Sequence, residues 1–286
     1  MVSPILKWVG GKRQLMKEIL SVFPRDYRAR TYHEPFVGSG AVFFKVKPRK
    51  GSINDINPRL INFYKVVREN PTELIEEARN YVYEKKTYYK LRGRFNQGNL
   101  PEVEEAALFL YLNKTCYNGL YRVNSRGEFN VPFGRYKNPK IVDPNRIHEA
   151  SRALANIEIL NQDFTYVTDL AERGDVCYLD PPYDPVSETA DFTSYSRNGF
   201  DAQEQIRLRD TCLKLDGKGV VFILSNSYTN TIKDLYEDEG FNLMTVQARR
   251  MVNSKSERRG DVKEVIITNS PKKSDKLKTS TILDFK

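Results

Sequence analysis

Cysteine, histidine and tryptophan are scarce in this chain of 286 residues, at three, two and one. Cys116, Cys177 and Cys212 are far apart and form no Cys-x-x-Cys pair. With only His33 and His148 beside them, the ligand set of a zinc or iron–sulfur site is missing, so no metal is expected. Chemistry must then come from carboxylates, backbone groups and aromatic rings. Long apolar runs are missing too. The longest, around residues 106–112 and 220–224, suit a buried helix or strand and fall short of the roughly 18 residues a membrane span requires. Residues 1–12 lack the apolar core of a secretory signal. Both absences predict a cytoplasmic protein with no membrane partner.

Positive charge and aromatic side chains are abundant. Forty-six lysines and arginines against 37 aspartates and glutamates leave a net charge of +9, alongside 17 tyrosines and 15 phenylalanines. Surplus surface lysine serves solubility in many proteins, so distribution decides between that reading and a nucleic-acid partner. Residues 112–140 hold six cations (Lys114, Arg122, Arg126, Arg135, Lys137, Lys140) against one acid, Glu128. Five rings, Tyr117, Tyr121, Phe129, Phe133 and Tyr136, lie between them. Clustered cations with interleaved rings are what phosphate and base contact requires. At 40% hydrophobic and 29% charged, the chain has the composition of a folded domain and the length for an insertion.

Along the chain, short strand-like runs alternate with helical periodicity. Helical spacing over 13–22 follows a Gly10-Gly11 turn, and 31–34 reads as a strand ending in Pro35-Phe36-Val37-Gly38-Ser39-Gly40. A second strand, 52–54, ends at Asp55, and a helix starts near Asn57. Strand, glycine turn, helix, strand and acid is the rhythm of a nucleotide-cofactor fold. From 60 to 116 the periodicity is helical, and Asn124-Ser125-Arg126-Gly127 between extended runs at 120–123 and 128–131 signals a hairpin on the basic segment. Further strands are predicted at 157–160, 176–179, 220–224, 241–247 and 264–268. The helical block therefore reads as an insertion into an α/β domain. Residues 1–56 and 148–270 form the α/β body, 57–147 the insert, and 271–286 a flexible tail.

Asp180-Pro181-Pro182-Tyr183 directly follows the apolar run at 176–179, and open α/β sheets bind ligands at the carboxyl ends of their strands. Asp-Pro-Pro also serves simply to stop a strand, but an acid, two rigid residues and a ring in that order suit a particular chemistry. The exocyclic amino group of a nucleobase delocalises its lone pair and is a poor nucleophile until acceptors hold its hydrogens. Asp180 and the Pro181 carbonyl are the candidate acceptors, with the prolines fixing the backbone. Tyr183 is the candidate stacking partner, an interaction of about 1–3 kcal/mol per base. In Phe36-x-Gly38-x-Gly40 the glycines allow close cofactor approach, and Asp55 can bind ribose hydroxyls. The third glycine of a dinucleotide fingerprint and a Gly-Lys-Ser/Thr phosphate loop are both missing. A nucleoside cofactor without pyrophosphate is favoured over NAD or ATP. Lys7-Trp8-Val9-Gly10-Gly11-Lys12 reads either as a basic helix cap or as a segment placing Trp8 and Lys12 near the cofactor and Lys7 near nucleic acid.

In combination these motifs resemble the Dam family (class alpha, D12-type) of S-adenosylmethionine-dependent DNA adenine methyltransferases. The resemblance rests on residues 7–12, Glu34 to Gly40, Asp55-Ile56-Asn57, Tyr117-Asn118-Gly119-Leu120-Tyr121-Arg122 in the basic insert, and Asp180 to Tyr183, and it runs from about Leu6 to Thr268. It implies a Rossmann-like methyltransferase sheet with an inserted, mainly helical DNA-recognition domain carrying a β-hairpin. The implied reaction moves a methyl group from S-adenosylmethionine to the N6 amino group of adenine in GATC, within double-stranded DNA. Implied cofactor contacts are Trp8, Lys12, Phe36, Gly38, Gly40, Asp55, Asp163, Phe164 and Asp180. Catalysis falls to Asp180, Pro181 and Tyr183. DNA contacts fall to Lys7, Tyr117, Asn118, Leu120, Arg122, Arg126, Pro132 and Arg135, with the Arg122 guanidinium suited to a guanine edge. Thr115, Cys116, Tyr121, Val123 and Ser125 depart from the family pattern, which bears on tolerance for flanking or degenerate bases.

Adenine hides its amino group within the duplex stack, so such an enzyme must extrude the base. Positioning and water exclusion then carry the rate, and a monomer associated with the nucleoid suffices. Residues 185–200 read either as a lid over that base or as a solvated linker. Thr281-Ile282-Leu283-Asp284-Phe285 reads either as a sliding-clamp docking motif or as a chain end with scattered apolar residues. Two other functions compete: methylation of another planar amine or amide, in RNA, protein or a small molecule, and DNA binding without catalysis. Asp rather than Asn at position 180 and the basic hairpin speak against a glutamine substrate. Intact Asp180 and Phe36-x-Gly38 speak against lost catalysis.

Overall fold

Alternating apolar and helical periodicity produces an α/β protein with seven strands among its described residues. In a computed structural model, the described residues are 3–8, 10, 12, 14–185, 200–249 and 261–270; residues 186–199 of the expected lid and all of the tail with its clamp motif lie outside them. The strands are β1 (Tyr32–Glu34), β2 (Gly51–Asn54), β3 (Ile157–Leu160), β4 (Val176–Leu179), β5 (Val221–Ser227), β6 (Asn242–Arg249) and β7 (Asp261–Thr268). The helices are α1 (Met16–Val22), α2 (Ala41–Val46), α3 (Pro58–Glu69), α4 (Pro71–Arg79), α5 (Lys85–Gln97), α6 (Glu102–Thr115), α7 (Pro144–Leu154), α8 (Val167–Leu170), α9 (Ala202–Gly217) and α10 (Asn230–Tyr236). Chain contacts separate two compact units: Met1–Arg13 with Phe36–Phe164, and Gln14–Pro35 with Thr165–Lys286.

In the first unit β2 and β3 run parallel, from Gly51 opposite Ile157 to Asn54 opposite Leu160. Helix α3 starts where the Asn57 side chain accepts from the Arg59 and Leu60 N–H groups and Pro58 supplies a preset φ, a cap of about 1 kcal/mol. Its face of Leu60, Ile61, Phe63, Tyr64, Val66 and Val67 is buried and packs on α6, α7 and β3. Helix α6 buries Ala106 through Asn113 without a break, as a helix that is apolar all round must.

The second unit orders its strands β1-β4-β5-β7-β6. β1·β4 and β4·β5 are parallel, whereas β5·β7 and β6·β7 are antiparallel. Strand β4 is buried along its whole length, the pattern of a parallel strand covered on both faces. Mostly parallel pairing with interleaved helices is the Rossmann-like class expected.

Two details differ from the sequence reading. The first helix begins at Met16 rather than near residue 13. The basic hairpin forms without ladder strands, its arms joined by the isolated bridge between Val123 and Phe129. The turn is closed locally: the Asn124 N–H donates to the Glu128 carbonyl at 2.9 Å and the Gly127 N–H to the Asn124 carbonyl at 3.0 Å, while the Asn124 side-chain oxygen accepts from both the Arg126 and Glu128 N–H groups.

Candidate active site

In the first unit, the carboxyl ends of β2 and β3 carry a cluster of candidate cofactor residues. Asn54 and Gln162 exchange two hydrogen bonds, of 3.0 and 2.8 Å, and Asn161 donates to the Asp55 carbonyl at 2.8 Å. This lacing fixes the backbone at Asp55. Its carboxylate accepts from the Gly38 N–H at 3.1 Å and the Asn57 N–H at 3.0 Å. Burial raises the Asp55 pKa, and those two backbone bonds oppose the shift.

Gly38 has φ 46°, and a Cβ there would lie 2.9 Å from the Trp8 ring; glycine is required for both reasons. Tyr64 Oη donates to the Gly38 carbonyl at 2.8 Å. Phe36 and Phe164 stack with centroids 5.3 Å apart. Gly40 caps α2, the buried Lys12 donates through Nζ to the Gly10 carbonyl at 2.8 Å, and Asp163 is exposed just beyond β3. An acceptor for hydroxyls, a tight glycine turn and the 76% exposed Ile56 beside Asp55 suit a nucleoside, whose sugar is polar and whose base is flat and apolar.

The same unit gathers the candidate DNA residues. Asn113 holds the Lys7 main chain from both sides, accepting from its N–H at 2.9 Å and donating to its carbonyl at 2.7 Å. Lys7 Nζ sits 4.0 Å from the centre of the Tyr136 ring. Asn118 and Gly119 both adopt left-handed backbone, φ 55° and 63°; a Cβ on Gly119 would come within 2.5 Å of the Lys7 stem. Tyr117 stands exposed on this turn, its N–H bonded to the Pro132 carbonyl. Arg122 is exposed, with Nε donating to Asn130 Oδ1 at 2.7 Å, which leaves the two outer nitrogens as a fork. Leu120 is half-buried, and Arg126, Pro132 and Arg135 are exposed. Trp8 stacks on Tyr121, centroids 5.6 Å apart, so the glycine turn and the basic loop share an aromatic contact.

The second unit presents Asp180-Pro181-Pro182-Tyr183 at the carboxyl end of β4. Gln205 donates to the Pro182 carbonyl at 3.2 Å, and Asn226 accepts from the Asp184 N–H while donating to Gln205. Tyr183 Oη donates to Glu264 at 2.8 Å. Burial first, then the charge of Asp180, pushes the Tyr183 pKa well above that of an ordinary phenol, so the hydroxyl keeps its proton. Asp180 itself is half-buried.

A family model for D12 class N6 adenine-specific DNA methyltransferases matches residues 8–252. The chain belongs to that family. The D12-class chain is 46% identical over 275 residues to the type II methyltransferase M1.LlaDCHI of Lactococcus lactis subsp. cremoris, covering 94% of this chain and 95% of the relative. It is 44% identical over 288 residues to the type II methyltransferase M.MjaIII of Methanocaldococcus jannaschii, with 94% and 99% covered. To the DNA adenine methylase of Escherichia coli K12 it is 36% identical over 270 residues, with 93% and 95% covered. D12-class enzymes depend on S-adenosylmethionine and act on DNA. Among the described residues no group of three or more His, Cys, Asp or Glu could hold a metal ion, and no helix is long and apolar enough to cross a membrane.

Sequence reading missed several groups that hold the candidate residues in each unit. Asn113, Asn130, Gln205, Asn226 and Glu264 reach their partners through folding, and amides and carboxylates at such spacings carry no local signature. Helix α5 did have a signal: Lys85, Lys86, Lys90, Arg92 and Arg94 with no acid among its 13 residues. Its inner face grips the basic loop through Tyr88 and Arg92 on the Val131 carbonyl and Asn96 on Phe129. Lys86, Tyr89 and Lys90 face solvent.

Proposed function

We propose that this enzyme methylates N6 of adenine at GATC in double-stranded DNA after extruding the target base. The observation that carries this reading is the loop that exposes Tyr117, Asn118, Arg122 and Pro132 and packs on Lys7 at Gly119 and Tyr136, with Arg122 anchored at Nε by Asn130. A guanidinium fixed in that way suits the two major-groove acceptors of guanine. In this reading residues 57–147 do the recognising, with Lys7 added from the amino-terminal segment. Residues 1–56 and 148–270 do the chemistry. Asp55 takes ribose hydroxyls, and Trp8, Phe36, Ile56 and Phe164 supply apolar surface. S-adenosylmethionine supplies an electrophilic methyl group. Asp180 and the Pro181 carbonyl hold the adenine amino hydrogens so that its lone pair is freed, and Tyr183 stacks on the extruded ring. The enzyme acts as a monomer on DNA in the cytoplasm.

Incubation with tritiated cofactor and plasmids with or without GATC tests the reading. Label is expected only on the GATC plasmid, and Asp180→Ala is expected to lower transfer on the order of 10²–10³-fold while DNA retention persists. Label on neither plasmid would refute the reaction; equal label on both would refute the site.

A further inference from the structure

We propose that Glu264 is a positioning residue that sets the ring plane of Tyr183 for stacking on the target base; this rests on the role proposed for Tyr183 above. The loop backbone is already fixed on both sides of Tyr183, at Pro182 by Gln205 and at Asp184 by Asn226. Such anchoring leaves the side-chain torsions to whatever the ring and hydroxyl touch. Glu264 holds the far end of the ring through the 2.8 Å hydrogen bond from Tyr183 Oη; fixing that atom sets the first side-chain torsion and the direction of the ring axis, and because a phenol O–H prefers to lie in the ring plane, the direction of the bond restrains rotation about that axis. The acceptor is itself stationary: Glu264 lies in β7, paired with Ser227 of β5 on one side and Val246 of β6 on the other. A carboxylate acceptor makes the bond charge-assisted and therefore stronger than a neutral pair.

The chemistry explains why such an anchor belongs here. Stacking tolerates sliding of a ring in its plane but not tilting, and a base held at a slant presents its amino group off the line of attack. Misplacement of about 1 Å can cost on the order of a hundredfold in rate.

The test is single-turnover methylation of a GATC duplex, together with the fluorescence of the same duplex carrying 2-aminopurine at the target position. Glu264→Ala is expected to lower turnover about tenfold or more with unchanged cofactor affinity and altered fluorescence of the bound base. Glu264→Gln, which keeps an acceptor, should restore most of the rate. Tyr183→Phe removes only the hydroxyl and should reproduce Glu264→Ala, with the double variant no worse than either single one. A Tyr183→Phe enzyme with wild-type turnover and fluorescence would overturn the inference while leaving the proposed reaction standing, as would additive losses in the double variant. A wild-type enzyme that neither labels GATC DNA nor brightens the probe would overturn both.

Discussion

At the scale of single residues, the groups assigned to chemistry are held by neighbours with none of their own to perform. Arg122 illustrates this. With Asn130 on its Nε, the guanidinium presents a fork in one orientation; without that bond the same fork samples several. Arg122→Ala is expected to reduce discrimination for guanine at the first base by about 1–3 kcal/mol, and Asn130→Ala to produce a smaller loss of the same kind. Ratios of kcat/KM for GATC and its first-base variants measure both, and an Asn130→Ala enzyme with undiminished preference would show the bond to be incidental. Asp55 makes a second case. Burial raises its pKa from 3.8, so between that value and its native one the folded protein holds a proton the unfolded chain has released. Its contribution to stability therefore falls as pH rises through this window. Asp55→Asn should flatten the dependence, which urea unfolding of both proteins from about pH 4 to 7 would reveal; parallel curves would rule it out.

At the scale of elements, α5 holds the basic loop with one face and exposes Lys86, Tyr89 and Lys90 to solvent. Replacing Lys86 and Lys90 by Gln should weaken binding to any duplex alike and flatten the plot of log affinity against log salt by about one for each lost phosphate contact. Sequence preference should not change; a shift in preference would mean that these lysines read bases. Elements were also the scale most legible in the sequence. Strand β4 falls where the apolar run at 176–179 puts it, since burial on both faces writes itself as a continuous apolar run, and β3 falls at 157–160, where exposed Glu158 alternates with buried Ile157 and Ile159. The hairpin was legible as a turn and illegible as a bridge, because the Asn124 side chain takes the Glu128 N–H that would otherwise have returned the bond from the Asn124 N–H to the Glu128 carbonyl. Partners such as Tyr183 and Glu264, 81 residues apart, leave no trace in local pattern. The carboxylate could have served any exposed strand face equally well.

At the scale of the whole molecule, the net charge of +9 includes cations exposed on the basic loop and on α5. The cysteines are the opposite case. Cys116, Cys177 and Cys212 are all buried; burial pushes the Cys116 thiol up to about 12 and raises the other two as well. Since the thiolate is the reactive form, the native protein should resist a chromogenic thiol reagent at neutral pH, and all three groups should react once denaturant is added. Rapid reaction of any one in the native state would contradict this.

The grip of Asn113 on Lys7 spans 106 residues, and synthesis delivers its two halves in a fixed order. At about 5–20 residues per second, the segment bearing Lys7 and Trp8 waits roughly 5–20 seconds on the ribosome before its partner is made. Through that interval Trp8 has no Tyr121 to stack on, and Lys7 has no Gly119 to pass. The early-made arm must therefore dock late, after α6 and the loop behind it have formed. Its closure brings Trp8 against both the Gly38 turn and Tyr121 of the basic loop in one event, so neither packing is complete in a nascent chain ahead of the other.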